Sequence, residues 1–114
     1  MNFTFLDENK RGENSFDLKS ESLFPENKKK SFGVGFNLDV KDVDFDLSIE
    51  ALFMFSLDEE ITEEFKLSDF PKINAPAIAF PYLRALVSNI TLQSGYDPVM
   101  LPSINFVKLA EERE

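Results

Sequence analysis

The sequence contains no cysteine, no histidine and no tryptophan, and only four glycines in 114 residues. Without cysteine there can be no disulfide, no thiol nucleophile and no cysteine–zinc site. Without histidine the commonest general base and metal ligand is missing. Cations are scarce as well: twelve Lys and Arg stand against twenty-one Asp and Glu, a formal charge of −9. That balance argues against a nucleic-acid partner, because a phosphate backbone is met by clustered cations. No apolar run approaches the ~18–20 residues of a membrane span, and membrane insertion is not expected. The first residues, Met1 to Glu8, have no basic region and no sustained apolar segment, so no signal peptide is read there and a cytoplasmic protein is expected. A single domain over residues 1–114 is expected, large enough for a modest core. What the chain has in quantity is phenylalanine, thirteen residues against two tyrosines.

The longest helical pattern runs from Asn74 to Gly95. Leu83, Leu86, Val87 and Ile90 recur at three- and four-residue spacing as one apolar stripe, with Arg84, Ser88 and Thr91 assigned to the opposite face. Pro76 suits the first turn of a helix, where a missing N–H costs nothing. Pro81 falls inside the pattern, which predicts either a helix kinked there or a short turn that restarts. Gly95 is the expected C-terminal stop.

The clearest strand signal lies before it. Phe32, Val34, Phe36, Leu38 and Val40 occupy every even position, and Val43 to Leu57 places apolar residues at every odd one. A two-residue connection at Lys41-Asp42 predicts a hairpin pairing Val40 with Val43, Leu38 with Phe45, Phe36 with Leu47 and Phe32 with Ala51. Leu52 and Met54 interrupt the polar face of the second strand and, in that register, extend past the hairpin's end. They are either covered by another segment or form an exposed apolar patch. Upstream, Phe3 and Phe5 make a weak strand, and Phe16 and Leu18 fall on the opposite parity, so a bulge or turn must separate them. Phe24 to Asn27 reads as a turn and Lys28 to Lys30 as a solvated basic loop.

Asp58 to Asp69 is acidic and reads as a solvated face and loop. From Asp39 to Asp69, eleven acids face two lysines. Paired carboxylates such as Glu59 and Glu60 suit acid–base chemistry only beside further machinery, and no metal-ligand spacing or glycine-rich phosphate loop accompanies them. No catalytic residue, metal or cofactor is expected. Asn105 is placed to cap a last short helix from Phe106 to about Glu112.

Two motifs now carry a resemblance. Asn-Ala-Pro-Ala-Ile-Ala-Phe-Pro-Tyr-Leu-Arg from Asn74, and Leu-Pro-Ser-Ile-Asn-Phe ending at Phe106, resemble the bacterial protein-export chaperone family SecB. Phe55-Ser56-Leu57 resembles that family's fourth-strand ending, and Ser15-Phe16-Asp17 its first-strand Ser-Phe-Glu. The resemblance implies an α+β fold: a four-stranded antiparallel meander with one long and one short helix packed on one face. It implies a holdase that binds unfolded or precursor polypeptides without ATP or cofactor, in protein export with the translocase ATPase SecA. Shorter members serve antitoxins of toxin–antitoxin systems, and an adaptor domain that keeps the fold without general client binding is the remaining alternative.

Client-binding positions under this resemblance are Phe24, Leu52, Met54, Phe70 and Phe106. The acidic first-strand positions that dock the translocase correspond to Glu13 and Asp17. The fourth-strand acid falls at Ser48, with Glu50 two residues along on the same face. A homo-dimer or homo-tetramer is expected, with Phe16, Leu18, Leu86 and Ile90 at its interface.

Overall fold

The computed structural model describes residues 2–7 and 14–113, with side chains from 15 to 111. Four strands come first: β1 (Asn2–Asp7), β2 (Asn14–Leu23), β3 (Ser31–Lys41) and β4 (Asp46–Ser56). They form one antiparallel sheet in the order β1-β2-β3-β4, a meander. The parity conflict between Phe5 and Phe16 is resolved by chain reversal: the two face each other across the β1–β2 pair. β2, β3 and β4 supply the described inner face. Phe16, Leu18, Phe32, Val34, Phe36, Leu38 and Val40 are all buried there.

The β3–β4 hairpin exists, but its register differs from the one expected. Val40 faces Leu47 rather than Val43, Leu38 faces Ile49, Phe36 faces Ala51 and Phe32 faces Phe55. The tightest two-residue turns need residues with positive φ, which Lys41 and Asp42 do not favour. The chain instead spends Asp42 to Phe45 on the connection. The Asp42 amide donates to the Phe45 carbonyl at 2.9 Å, and the Asp42 carboxylate accepts from the Val43 amide at 2.7 Å. The shift is an even number of residues, so the apolar faces still coincide. Leu52 and Met54 consequently lie inside the paired region, opposite Gly35 and Gly33.

Three helices follow. α1 (Glu63–Lys66) is a single turn within the stretch expected to be loop. The Thr62 hydroxyl caps it by accepting from the Phe65 amide at 3.1 Å, and Glu63 and Glu64 sit in its first turn, where carboxylates favour the positive end of the helix. A π-turn (Phe70–Asn74) then runs directly into α2 (Ala75–Gln93). Its widened bond links the Ala75 amide to the Phe70 carbonyl. Pro76 explains it: having no N–H, Pro76 cannot bond one turn back, and an inserted residue relieves the crowding there.

α2 is continuous through Pro81, which lies on its exposed side, so the carbonyl left without a partner can face water. It ends in a Schellman motif. Gly95 adopts φ 93°, its amide donates to Leu92 and the Tyr96 amide to Thr91. α3 (Phe106–Arg113) is capped by Asn105, whose side chain accepts from the Lys108 amide at 3.1 Å.

The helices cover the inner face of the sheet. Ala75, Ala79, Phe80, Leu83 and Val87 of α2 are buried against it with Leu101 and Phe106. Phe36 is the hinge of this contact, its ring 6.2 Å from Phe80 and 6.4 Å from Phe106. The buried stripe of α2 continues to Thr91, placed on the opposite face by the sequence reading. β4, an edge strand, is less well covered, and Leu47, Ile49, Ala51, Phe53 and Phe55 remain half-buried. Among the described residues no helix is long and apolar enough to cross a membrane.

Candidate polypeptide-binding surfaces

Apolar side chains reach the surface in separate places, and each traces back to a local feature of the sequence. At one end of the inner face, four phenylalanines gather around Phe32. Its ring lies 5.1 Å from Phe55, 5.6 Å from Phe65 and 6.0 Å from both Phe24 and Phe70. Phe32 is fully buried, while the other four are half-buried and form the rim. The Lys66 ammonium sits 5.6 Å over the Phe24 ring and pairs with Glu63 at 3.2 Å. Beside this cluster, between the π-turn and α3, a groove of about 530 Å³ is lined by Leu67, Ile73, Val107 and Ala110, with Asp69 and Lys72 at its margin.

The outer face of the sheet carries the second surface. Leu52 is 56% exposed and Met54 46%, and Leu23 joins them from β2. Two residues of β3 allow this arrangement, Gly33 and Gly35, over which the larger side chains project. The third surface is the solvent side of α2, where Ile78, Tyr82 and Leu86 follow one another at four-residue spacing. Tyr82 is 68% exposed.

The structure therefore divides the expected client positions. Phe24 and Phe70 come together around Phe32. Leu52 and Met54 come together on the opposite side of the sheet. Phe106 does neither: at 4% exposure it is a core residue, its ring 5.7 Å from Phe80. Phe16 and Leu18, expected at a subunit interface, are likewise corrected to protomer core, because β3 and the covering helices already enclose that face. Leu86 is exposed and Ile90 half-buried on α2. Of the acids expected to dock a translocase, Asp17 and Glu50 share the outer face, Asp17 half-buried and Glu50 exposed, while Glu13 lies outside the described residues.

Leu23, Ile78 and Tyr82 were not foreseen. Gly33 and Gly35 were the available signal for the first, since small residues in a strand leave their neighbours uncovered. Among the described residues no group of three or more His, Cys, Asp or Glu could hold a metal.

An antiparallel sheet covered on one face by a long helix, with apolar side chains left at the surface, is the architecture of a SecB-like chaperone. The chain belongs to the SecB family: the model of the preprotein translocase subunit SecB matches residues 31–114. An uncharacterized protein of Methanocaldococcus jannaschii is 46% identical over 59 residues, 52% of this chain and 37% of that protein. The protein-export protein SecB of Dinoroseobacter shibae is 30% identical over 88 residues, 71% of this chain and 50% of the relative. That of Anaplasma phagocytophilum is 34% identical over 62 residues, covering 54% and 39%. The matched parts thus span 37% to 50% of these relatives' lengths. A solved structure with a similar fold is the Mycobacterium tuberculosis Rv1957 SecB-like chaperone in complex with a ChAD peptide from the Rv1956 HigA1 antitoxin. Its TM-score is 0.57 at 18% identity, covering 91% of this chain and 80% of that one.

Proposed function

We propose that this chain is an ATP-independent holdase that binds unfolded or precursor polypeptides in the cytoplasm by apolar contact. The observation that carries the reading is the exposed apolar surface described above, in a chain of the SecB family that is otherwise strongly acidic. Surface of this kind on a soluble fold marks a place of association. Phenylalanine, leucine and methionine suit promiscuous contact, since they adapt to many apolar partners without requiring matched hydrogen bonds.

Protein export, with SecA as the receiving ATPase, is the primary role proposed, and Asp17, Glu50 and Glu13 are its docking acids. A role dedicated to one antitoxin is the second reading, supported by the likeness to a chaperone solved with an antitoxin peptide. Homo-dimers or homo-tetramers form through the exposed side of α2, including Leu86 and Ile90.

The experiment is suppression of aggregation. A chemically unfolded client diluted into buffer should stay soluble in the presence of the chain at near-stoichiometric amounts, with no nucleotide added. Aggregation at the same rate with and without the chain, for both a secretory precursor and an antitoxin, would refute the holdase.

A further inference from the structure

The chain has no cysteine, and its oxidisable sulfur lies in three methionines, Met1, Met54 and Met100. The two with described side chains both reach the surface, Met54 at 46% and Met100 at 62% exposure. A thioether within reach of solvent is open to peroxide, which converts it to a sulfoxide. The two sites would receive that oxygen differently.

The Met100 sulfur accepts a hydrogen bond from the Ser88 hydroxyl at 3.4 Å. A sulfoxide oxygen there has both a neighbouring donor and water. The Met54 sulfur accepts no hydrogen bond among the described residues. Leu23, Gly33 and Met54 form one cross-strand row on the outer face, with Leu52 in the next. A β-carbon on Gly33 would stand 3.0 Å from Met54 Sδ, 2.9 Å from Leu52 Cδ1 and 3.7 Å from Leu23 Cβ. The sulfur thus occupies space that a side chain at position 33 would take, and it lies among leucine carbons. Glycine weakens the middle of a sheet, and here its bare backbone is the floor on which the sulfur rests.

We propose that Met54 is an oxidative switch: a peroxide converts its thioether to a sulfoxide, and this face of the protein then holds clients poorly. The inference rests on the holdase function proposed above and adds a modification site to it. In the step, a sulfur lone pair attacks one oxygen of hydrogen peroxide and the O–O bond breaks. The proton of the transferred hydroxyl passes to the departing hydroxide, which leaves as water. Sulfur gives up two electrons and the peroxide is reduced. A dithiol reductase reverses the change, two thiols becoming a disulfide while the oxygen leaves as water. The sulfoxide oxygen is a polar acceptor at the centre of an apolar surface. A client side chain laid over Leu23, Leu52 and Met54 excludes its water and offers no donor in exchange, so binding leaves a polar group unsatisfied.

The test treats the full chain with hydrogen peroxide, removes the peroxide, and locates each added oxygen by peptide mass mapping. A chemically unfolded client is then diluted in. The oxidised parent should need about tenfold more chain for the same protection, with an unchanged melting midpoint. Met54→Leu keeps the apolar area without the sulfur, so it should protect equally before and after peroxide, although its Met100 is still oxidised. Met100→Leu should lose protection as the parent does. Met54→Gln, polar without any oxidant, should protect poorly from the start. Should Met54→Leu alone lower protection, the oxidised Met100→Leu chain is treated with methionine sulfoxide reductase instead, and protection should return.

Oxygen at Met54 with protection unchanged, an equal loss in Met54→Leu, or no return after reduction overturns the inference and leaves the holdase reading standing. So does a Met54 that stays unoxidised while Met100 reacts. An untreated parent that protects no client takes both readings down.

Discussion

The Thr91 hydroxyl accepts a hydrogen bond from the Val99 amide at 3.0 Å. Its own proton is directed back at the Val87 carbonyl at 3.0 Å and the Ser88 carbonyl at 3.1 Å, so a hydroxyl buried to 2% exposure is fully used. The neighbouring Ser88 hydroxyl donates to the Val99 carbonyl at 2.7 Å. Val99 is thereby held on both sides, and the segment after α2 is fixed where Leu101 enters the core.

Thr91→Val should consequently destabilise the protomer although it keeps the size of the side chain. The half-buried Val99 amide loses its acceptor, at a cost of about 1–3 kcal/mol. Thr91→Ser keeps the acceptor and should cost less. Urea unfolding measures the difference, and amide exchange at Val99 should accelerate in the valine variant ahead of the rest of the sheet.

Phe106→Ala should cost about 3–5 kcal/mol, the range for truncating a buried aromatic. Its ring is enclosed by Phe36 and Phe80 at 6.4 and 5.7 Å, and the cavity left behind has few neighbours free to fill it. That is a large share of the stability of a domain this small. Chemical denaturation decides: an unchanged midpoint would return Phe106 to the surface.

The faces of this fold were legible in the sequence; what covers each face was not. Alternation from Phe32 to Leu57 assigns each side chain to one side of the sheet, and those assignments hold within β3 and β4, whereas Val43 leaves the sheet for the turn and is exposed. It does not set the register, because a hairpin slipped by four residues obeys the same alternation. The turn at Asp42 to Phe45 decides it. The motif ending at Phe106 was visible, but burial of that ring depends on Phe80 and Phe36, far away in the chain.

Thr91 was assigned to the solvent side because a hydroxyl resembles surface until its partners at Val87 and Val99 are known. Thr62 with two glutamates after it is a cap signature that marks α1, overlooked within an acidic run. For the surfaces, Leu52 and Met54 broke the alternation and so announced themselves. Their exposure follows from the glycines opposite, which only the true register brings into line.

A charge placed on the outer side of α2 tests assembly. Ala77, Ile78, Pro81, Tyr82, Ala85, Leu86 and Asn89 carry no charge, in a chain with a net charge of −9. Two such faces can meet without bringing like charges together. Tyr82→Glu, at a 68% exposed position, should change protomer stability by no more than about 0.5 kcal/mol. If α2 pairs with α2, light scattering should show the mass fall toward the 13.1 kDa of a single chain. A parent that is already monomeric at micromolar concentration would refute assembly through this helix.

Replacing Leu52 and Met54 together by serine separates a binding surface from a structural one. Both side chains lie on the outer face, 56% and 46% exposed, resting over Gly33 of β3 rather than in the core. Little apolar area returns to water when they are truncated, and each site should cost less than about 1 kcal/mol. The hairpin register does not depend on them, since Phe53 and Phe55 hold it from the inner face opposite Val34 and Phe32. The melting midpoint of the double variant should therefore stay close to that of the parent. Client protection should weaken, because each large side chain covered by a bound segment contributes roughly 1.5–3 kcal/mol that serine cannot supply. A fall in midpoint equivalent to several kcal/mol would mean that another part of the protomer covers the pair. A stable variant that protects clients as well as the parent would leave the rim around Phe24 and Phe70 as the holding surface. A stable variant that loses its oligomeric mass would assign Leu52 and Met54 to contact between subunits.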